Sequence, residues 1–276
     1  MNSNPFKIHT YSKSGKLRIN DKIINKKKEN EDSKKVDIYR GIFIVADGMG
    51  GHTGGKIASQ HATLMLYQNM CDLLKIHIRD NLDDSLVKSL LSENVEDTNK
   101  FVYAISRLPH LSKCGTTIDA VMIHNAKLYG AHVGDGSVYK INTLNNSIDR
   151  LTSVDKFTSF NNSLNPMEQE LVFSKNVSTA LGSETISIQD YMTEISHSDI
   201  ILMATDGFTK KVHPDEMLES FKNKTFEEGV ESLKKYCRNP KGMRQVVKNL
   251  KNKEYNINER YLFSDDTTFI AIKRND

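Results

Sequence analysis

The strongest constraint on this chain is an apolar run that stops abruptly at an acid and a glycine-rich turn. Residues 41–52 read GIFIVADGMGGH. The β-branched and aromatic residues predict a buried strand. Burial of the Asp47 carboxylate at the end of that strand is costly unless a partner neutralises it, and a metal cation is the simplest partner. The neighbouring glycines would let backbone carbonyls approach such a cation closely.

The same unit recurs along the chain. An apolar run ending in Asp-Gly occurs at Asp47, Asp135 and Asp206, and the pair Asp265-Asp266 precedes the last predicted strand. Strand ends converge on a sheet edge, where clustered carboxylates repel one another unless cations lie between them. Oxygen ligands without His or Cys nearby favour Mg²⁺ or Mn²⁺ over zinc. A single Asp-Gly is more often a tight turn, but the recurrence favours a shared metal site.

Composition narrows the class of protein. The chain has 276 residues, of which 38% are hydrophobic, and its net charge of +3 gives no reason to expect nucleic acid as a partner. No apolar run approaches the roughly 20 residues of a membrane span, and the first residues lack the layout of a signal peptide. The three cysteines are too few and too scattered for a disulfide framework or a zinc site. We therefore expect a cytoplasmic enzyme with no membrane partner.

Periodicity predicts an α+β fold, because strands and helices come in blocks rather than in strict alternation. The predicted strands are 5–11, 40–46, 117–124, 127–133, 137–141, 199–205 and 267–273, and the predicted helices are 55–78, 84–106, 214–222, 226–237 and 240–250. The two strands around Asn125-Ala126 form a predicted hairpin, and Asp83 or Asp84 caps the second helix. Residues 12–30 are expected to form a basic insertion or loop, and residues 153–170 a surface flap.

Apolar spacing also predicts which helical residues face the core. The positions assigned to the core are Ile57, Ala58, His61, Leu64, Met65 and Met70 in the first helix, and Leu86, Leu90, Phe101 and Ile105 in the second.

The glycine stretch has a competing interpretation. Residues 50–56 match the spacing of a phosphate-binding loop between a strand and a helix. Position 57 is Ile57, however, so the hydroxyl that would bind magnesium is absent. We therefore regard a nucleotide-binding switch as the weaker hypothesis.

Several motifs, taken in order, resemble the PPM family, the metal-dependent serine/threonine protein phosphatases of type 2C, in its bacterial form. Each motif alone is weak, but seven in family order over residues 30–272 are highly specific. The matching segments are NEDS at 30–33, VADGMGGH at 45–52, GTT at 115–117, HVGD at 132–135, NVSTALG at 176–182, ATDG at 204–207 and DDTT at 265–268.

The resemblance implies one phosphatase domain over residues 1–276: two antiparallel sheets face to face, flanked by helices, with metal ions in a cleft at one edge. Asp47 would bridge two ions, one of which the Gly48 carbonyl also binds. Asp206 and Asp265 would hold the other ion. The remaining implied roles are Glu31 and Asp32 acting directly or through metal-bound waters, and Asp135 with Asp206 at a weaker third site.

The implied activity is hydrolysis of phosphoserine and phosphothreonine in proteins. A hydroxide held between two Mn²⁺ or Mg²⁺ ions would attack phosphorus in line, with no phosphoenzyme. The implied partners are a phosphorylated protein substrate and a cognate serine/threonine kinase. The catalytic residues would be Asp47, Asp206, Asp32 and Lys27.

The chain departs from the family pattern at several positions. Lys27 stands where the family has an arginine that grips phosphate, unless residues 19–29 are an insertion and Arg18 takes that role. Lys210 stands where the family has a helper of the third ion, and Gly136 where it has a serine. His52 is either a general acid or a turn residue. These changes motivate an alternative, a catalytically weak regulator that binds phosphoproteins, although the intact acids argue against it.

Overall fold

The computed structural model describes residues 4–15, 17–19, 22–24, 29–50, 53–111, 113–153, 164–173, 179–255, 257 and 259–275. Lys27 and His52, for which roles were predicted, lie outside the described residues. So do the side chain of Arg18 and residues 154–163 of the predicted flap.

The strands in chain order are β1 (Phe6–Lys13), β2 (Leu17–Ile19), β3 (Lys22–Ile24), β4 (Ser33–Asp37), β5 (Ile42–Ala46), β6 (Gly48–Met49), β7 (Gly115–Thr116), β8 (Ile118–His124), β9 (Lys127–Val133), β10 (Ser137–Asn142), β11 (Ser147–Arg150), β12 (Gln189–Glu194), β13 (Asp199–Ala204) and β14 (Thr267–Arg274). The helices are α1 (Thr53–Asp80), α2 (Asp84–Ser106), α3 (Pro166–Phe173), α4 (Asp206–Thr209), α5 (Pro214–Phe221), α6 (Phe226–Arg238), α7 (Lys241–Asn252) and α8 (Glu259–Ser264).

Two five-stranded antiparallel sheets form the centre of the molecule. The sheet that ends at Asp47, called the Asp47 sheet, has the order β12-β9-β8-β5-β4. The sheet that ends at Asp206, called the Asp206 sheet, has the order β1-β14-β13-β10-β11. The short pairs β2-β3 and β6-β7 lie outside them, and the first falls within the predicted basic insertion.

Strand β5 shows why its sequence is apolar throughout. Phe43 and Val45 pack into a core with Ile201 and Ile270 of the Asp206 sheet. Ile44 and its neighbours on the other face pack against α1 and α2. A strand buried on both faces reads as a continuous apolar run.

Helices cover the outer face of each sheet. Helices α1 and α2 cover the Asp47 sheet, and α5 and α6 cover the Asp206 sheet, where Phe221 and Val230 pack with Leu202 and Phe269. The predicted fold, an α-β-β-α sandwich of class α+β, is thereby confirmed.

The predicted core faces of the first two helices were partly wrong. His61 and Leu64 are exposed, and His61 packs edge-on against the equally exposed Phe101. Ala58 and Met70 are buried as predicted, and the buried face of α1 also contains Ala62, Leu66, Leu73 and Leu74. In α2 the buried apolar residues are Val87, Leu91, Val95 and Val102, whereas Leu86 is 41% exposed. Apolar side chains on both sides of each helix made the orientation ambiguous.

Two local predictions are confirmed by the backbone. The Asn125-Ala126 turn joins β8 to β9, and both of its residues have positive φ, at 48° and 63°, as a tight hairpin turn requires. The Asp83 side chain accepts the Leu86 N–H at 2.9 Å and caps α2.

Several elements were missed or mistaken. The strands β4, β11 and β12, whose residues are largely polar, were not predicted, and neither were the short elements β2, β3, β6, β7, α4 and α8. Residues 166–170 were assigned to a surface flap, although they form the first part of α3. A small core that includes Leu164, Leu171, Val247 and Ile257 joins this segment to α7 and the residues after it. Among the described residues, no helix is both long and apolar enough to cross a membrane.

Candidate functional site

Four acidic residues meet at one edge of the sandwich. Asp47 follows the end of β5 and Asp32 precedes β4, whereas Asp206 follows the end of β13 and Asp265 precedes β14. Because the paired strands are antiparallel, the end of one strand lies beside the start of its partner. A hydrogen bond from Thr205 Oγ1 to Asp32 Oδ2, at 3.1 Å, links the two sheets at this edge.

The clustered carboxylates change one another's protonation. Burial raises the pKa of Asp47 well above its usual value, and the carboxylates of Asp32, Asp206, Asp265 and Asp135 raise it further. Burial also raises the pKa of Asp32 to about 7, with added contributions from nearby acids. Bringing these side chains together as anions is therefore unfavourable without a cation, as the sequence analysis inferred.

The donor atoms suit a divalent cation. Asp32 Oδ1 and Asp206 Oδ1 are buried and have no hydrogen-bond partner among the described residues. Carboxylate oxygens are the ligands that Mg²⁺ and Mn²⁺ prefer. In the described part of the chain, however, no three His, Cys, Asp or Glu side chains surround one point closely enough to hold an ion as they stand. The chemistry of the donor set therefore fits the implied ions, while their binding requires side-chain movement.

Lys210 lies among these acids. Its Nζ donates to Asp206 Oδ2 and lies 3.1 Å from Asp265 Oδ2. Burial alone would lower the pKa of Lys210, but the two carboxylates raise it above its usual value. Lys210 was expected beside a third metal ion. Its ammonium instead contacts Asp206 and Asp265, the two acids implied as ligands of the second ion.

Asp265 and Asp266 have different surroundings. The buried Asp266 carboxylate accepts backbone N–H groups from Gly15 and Glu31, both at 2.8 Å. Both of its oxygens are thus engaged in holding the backbone. The Asp265 carboxylate faces Lys210 and is 33% exposed, which supports the choice of Asp265 as the candidate ligand.

The GTT motif at 115–117 holds the backbone of Asp47. Thr117 Oγ1 accepts the Asp47 N–H at 3.0 Å, and the Thr117 N–H donates to the Asp47 carbonyl at 2.9 Å. Thr116 Oγ1 also donates to that carbonyl at 2.9 Å. Sequence reasoning assigned no role to these hydroxyls, and the resemblance to the family was their only signal.

The glycines of the three Asp-Gly units are required by space rather than by a left-handed turn. Gly48, Gly136 and Gly207 all lack a positive φ, so none of them is the left-handed residue of a type I′ turn. A Cβ on Gly48 would lie 2.2 Å from the Gly55 carbonyl oxygen, and one on Gly207 would lie 1.7 Å from that of Asp266. At Gly136 it would lie 1.8 Å from Asp119 Oδ2.

The same packing accounts for one of the glycines that suggested a phosphate-binding loop. A Cβ on Gly55 would lie 2.8 Å from the Gly48 backbone, because the start of α1 packs directly on β6. Lys56 Nζ lies 3.4 Å from Glu29 Oε2. Close packing thus explains Gly55 without a bound nucleotide.

The remaining candidates lie near this edge. Glu31 is buried. Its backbone carbonyl accepts hydrogen bonds from Ser59 Oγ at 2.6 Å and from the Gly48 N–H at 3.2 Å. Asp135 follows β9, and its charge acts on both Asp47 and Lys210. Sequence reasoning missed a buried pair beside Gly136, in which His132 Nδ1 lies 2.8 Å from Asp119 Oδ1.

Comparison with known proteins bears on the identity of this arrangement. A family model described as protein phosphatase 2C matches residues 21–251. The serine/threonine phosphatase Stp of Listeria welshimeri is 28% identical over 203 residues, which cover 71% of this chain and 75% of that protein. A putative protein phosphatase 2C-type of Streptococcus pyogenes is 25% identical over 219 residues, covering 74% and 82%.

Solved structures share the fold. The serine/threonine phosphatase PstP/Ppp of Mycobacterium tuberculosis superimposes with a TM-score of 0.70 at 20% identity, covering 98% of this chain and 99% of that chain. The catalytic domain of PstP in complex with two manganese ions gives a TM-score of 0.66 at 20% identity, with the same coverage.

Proposed function

The chain belongs to the protein phosphatase 2C family of serine/threonine phosphatases, and on that premise we propose that it hydrolyses phosphoserine and phosphothreonine in proteins with the help of divalent cations. The observation that carries this proposal is the convergence of Asp47, Asp32, Asp206 and Asp265 at one edge of the sandwich. The family resemblance inferred from the sequence is thus confirmed.

The proposed ligands are those inferred from the sequence. Asp47 would bind both ions. The Gly48 carbonyl would also bind one of them, and Asp206 and Asp265 would bind the other. Glu31 would act directly or through water, and Asp135 would contribute to a weaker third site. A related phosphatase binds two manganese ions. Such ions supply Lewis acidity, which lowers the pKa of an attacking water and offsets charge on the phosphoryl oxygens.

Asp32 would act on the attacking water, directly or through a metal-bound water. Its Oδ2 is held by the Thr205 hydroxyl, so its buried Oδ1 points in a fixed direction and remains free to accept a hydrogen bond. Orientation of the nucleophile contributes to the rate because a well-aligned attack avoids the entropy cost of assembling the reactants.

Cysteine chemistry is disfavoured by the surroundings of the thiols. Burial raises the pKa of Cys114, and it raises the pKa of Cys237 to about 12. The thiolate is the reactive form of cysteine, so both residues are poor nucleophiles at neutral pH. This argues against a cysteinyl-phosphate intermediate at either residue.

Hydrolysis of a phosphothreonine peptide tests the proposal. We expect turnover with Mn²⁺ or Mg²⁺, none with a chelator, and a large loss in Asp206→Ala. Asp72→Asn is the matched control, because Asp72 is exposed on α1 and its ion pair among the described residues is with Lys75 at the surface. Equal and negligible rates for the wild type with Mn²⁺, with chelator and in Asp206→Ala would contradict a phosphatase activity.

The alternative function is a weak enzyme that binds phosphoproteins as a regulator. The contact of Lys210 with two proposed ligands favours it. Binding of a phosphothreonine peptide by the wild-type protein, with turnover no faster than in Asp206→Ala, would support this alternative. A cognate kinase and a cytoplasmic location remain predictions.

A further inference from the structure

We propose that Lys210 competes with a divalent cation for Asp206 and Asp265, so that the chain carries its own cation at one half of the metal centre. This inference rests on the proposed function, because the two aspartates are metal ligands only within it.

Local geometry places the lysine over the first aspartate. Helix α4 ends at Thr209, and the Lys210 backbone N–H donates to the Asp206 carbonyl at 2.8 Å. Residues four apart in a helical turn lie on the same face. The Lys210 ammonium therefore donates a hydrogen bond to the carboxylate of Asp206, one helical turn earlier.

The second contact is not local. Asp265 lies 55 residues further along the chain, yet its Oδ2 is 3.1 Å from Lys210 Nζ. The ammonium thus bridges two carboxylates from different elements, which is the position that a shared divalent ion would take. It neutralises one of the two negative charges, so the pair still attracts a divalent cation. That cation must first break two charge-assisted hydrogen bonds.

The contact differs from an ordinary surface ion pair. The Lys210 side chain is 23% exposed, whereas the lysines in the pairs Lys75–Asp72 and Lys100–Asp97 are more than 70% exposed. Partial burial reduces screening by water and salt, so Lys210 competes more strongly than a surface lysine would.

The turn that carries Asp265 is also held by contacts that do not involve Lys210. Lys211 is buried, and its Nζ donates to the Asp265 carbonyl at 2.8 Å and to Thr267 Oγ1. Asp266 ties the same turn to Gly15 and Glu31. Removal of the Lys210 ammonium should therefore leave two carboxylates in place and available to a cation.

Binding of Mn²⁺ alone to the full chain tests the inference, measured by calorimetric titration and by the loss of the free-ion paramagnetic resonance signal. We expect Lys210→Met to tighten the weaker class of Mn²⁺ sites at least roughly tenfold, or about 1.4 kcal/mol. Lys210→Arg keeps a cation in place and should bind like the wild type. Lys222→Met, which removes an exposed lysine paired with Glu219, is the matched control.

Thermal unfolding gives a second readout. Lys210→Met should melt below the wild type in chelator, because its acids lose their counter-charge, and should gain more in Tm from added Mn²⁺. Lys210→Gln serves the same purpose if the Met variant does not fold. Wild-type Mn²⁺ affinity and stoichiometry in the folded Met or Gln variant would overturn the inference. Failure of the proposed function looks different: the wild-type protein would neither bind Mn²⁺ nor hydrolyse the peptide.

Discussion

The two sheet edges that meet at the cleft carry similar acids but neutralise them differently. At the Asp206 sheet, Asp206 and Asp265 share the ammonium of Lys210. At the Asp47 sheet, Asp47 and Asp32 form no ion pair with a described basic side chain, and the pKa values of both are raised by burial and by neighbouring acids. The difference indicates which edge most needs an external cation. The Asp47 edge has no counter-charge among the described residues, whereas the Asp206 edge is already half neutralised by Lys210.

The largest test of this comparison exchanges one acid at each edge for its amide. Asp47→Asn should reduce kcat/KM roughly 10³-fold, or about 4 kcal/mol, because it removes the proposed bridging ligand. Asp265→Asn should cost only roughly tenfold, because its carboxylate is already paired with Lys210. Steady-state kinetics with a phosphothreonine peptide at saturating Mn²⁺ measure both, with Asp72→Asn as control. Equal losses at the two positions would break the comparison.

Substitution of the glycines that follow Asp47 and Asp206 tests whether the backbone is packed equally closely at the two edges. Gly48→Ala and Gly207→Ala should each destabilise the fold by about 3 kcal/mol, because the new methyl group meets backbone atoms at 2.2 Å and 1.7 Å. Gly54→Ala is the control, since its nearest neighbour is Cys114 Cβ at 3.0 Å. Denaturant unfolding measures the changes. If Gly48→Ala were as stable as Gly54→Ala, the close approach of α1 to β6 would be wrong.

The pH dependence of the free energy of unfolding tests the Asp47 edge, through Asp32. The pKa of Asp32 is about 7 in the folded protein and near 3.9 when unfolded, so between these values the folded state binds more protons. Stability must then fall as pH rises through this window. We expect the metal-free protein to lose about 2 kcal/mol from this group between pH 5 and pH 7, at about 1.4 kcal/mol per pKa unit.

Asp32→Asn should flatten that dependence, and Asp72→Asn should not. Thermal unfolding in chelator measures it, and Mn²⁺ should weaken the dependence in the wild type by favouring the ionised acids. A metal-free protein that became more stable from pH 5 to pH 7 through Asp32 would contradict the assigned direction.

The smallest expected effect concerns the hydroxyl that holds Asp47. Thr117→Val removes the acceptor of the Asp47 N–H and should cost about 1 kcal/mol of stability, with a several-fold rise in the Mn²⁺ concentration needed for half-maximal activity. Thr98→Val is the control, because Thr98 Oγ1 donates to the Asn94 carbonyl within α2, away from the acids. An unchanged Mn²⁺ requirement in Thr117→Val would show that this hydroxyl does not position the acid.

Much of the fold was predictable where the pattern admits one interpretation. The run Ile42–Ala46 is apolar at every position because both faces of β5 are buried, and it was predicted as a strand. The orientation of α1 was not predictable, because Leu64 and Ile78 are apolar and yet exposed. Apolar residues on the exposed side of the helix hide which side faces the core. Strands β11 and β12 escaped prediction because edge positions tolerate polar residues.

The sequence by itself determined which residues are candidates for chemistry at this site. The recurrence of an apolar strand ending in Asp-Gly identified Asp47, Asp135 and Asp206, because a buried acid needs a partner wherever it lies in the fold. Tertiary structure alone decided what each acid contacts. The i,i+4 spacing of Asp206 and Lys210 is local, but the approach of Asp265 to the same ammonium depends on how β13 and β14 pair. Electrostatic interaction acts through space rather than along the chain, so only the folded arrangement shows which edge the protein neutralises itself.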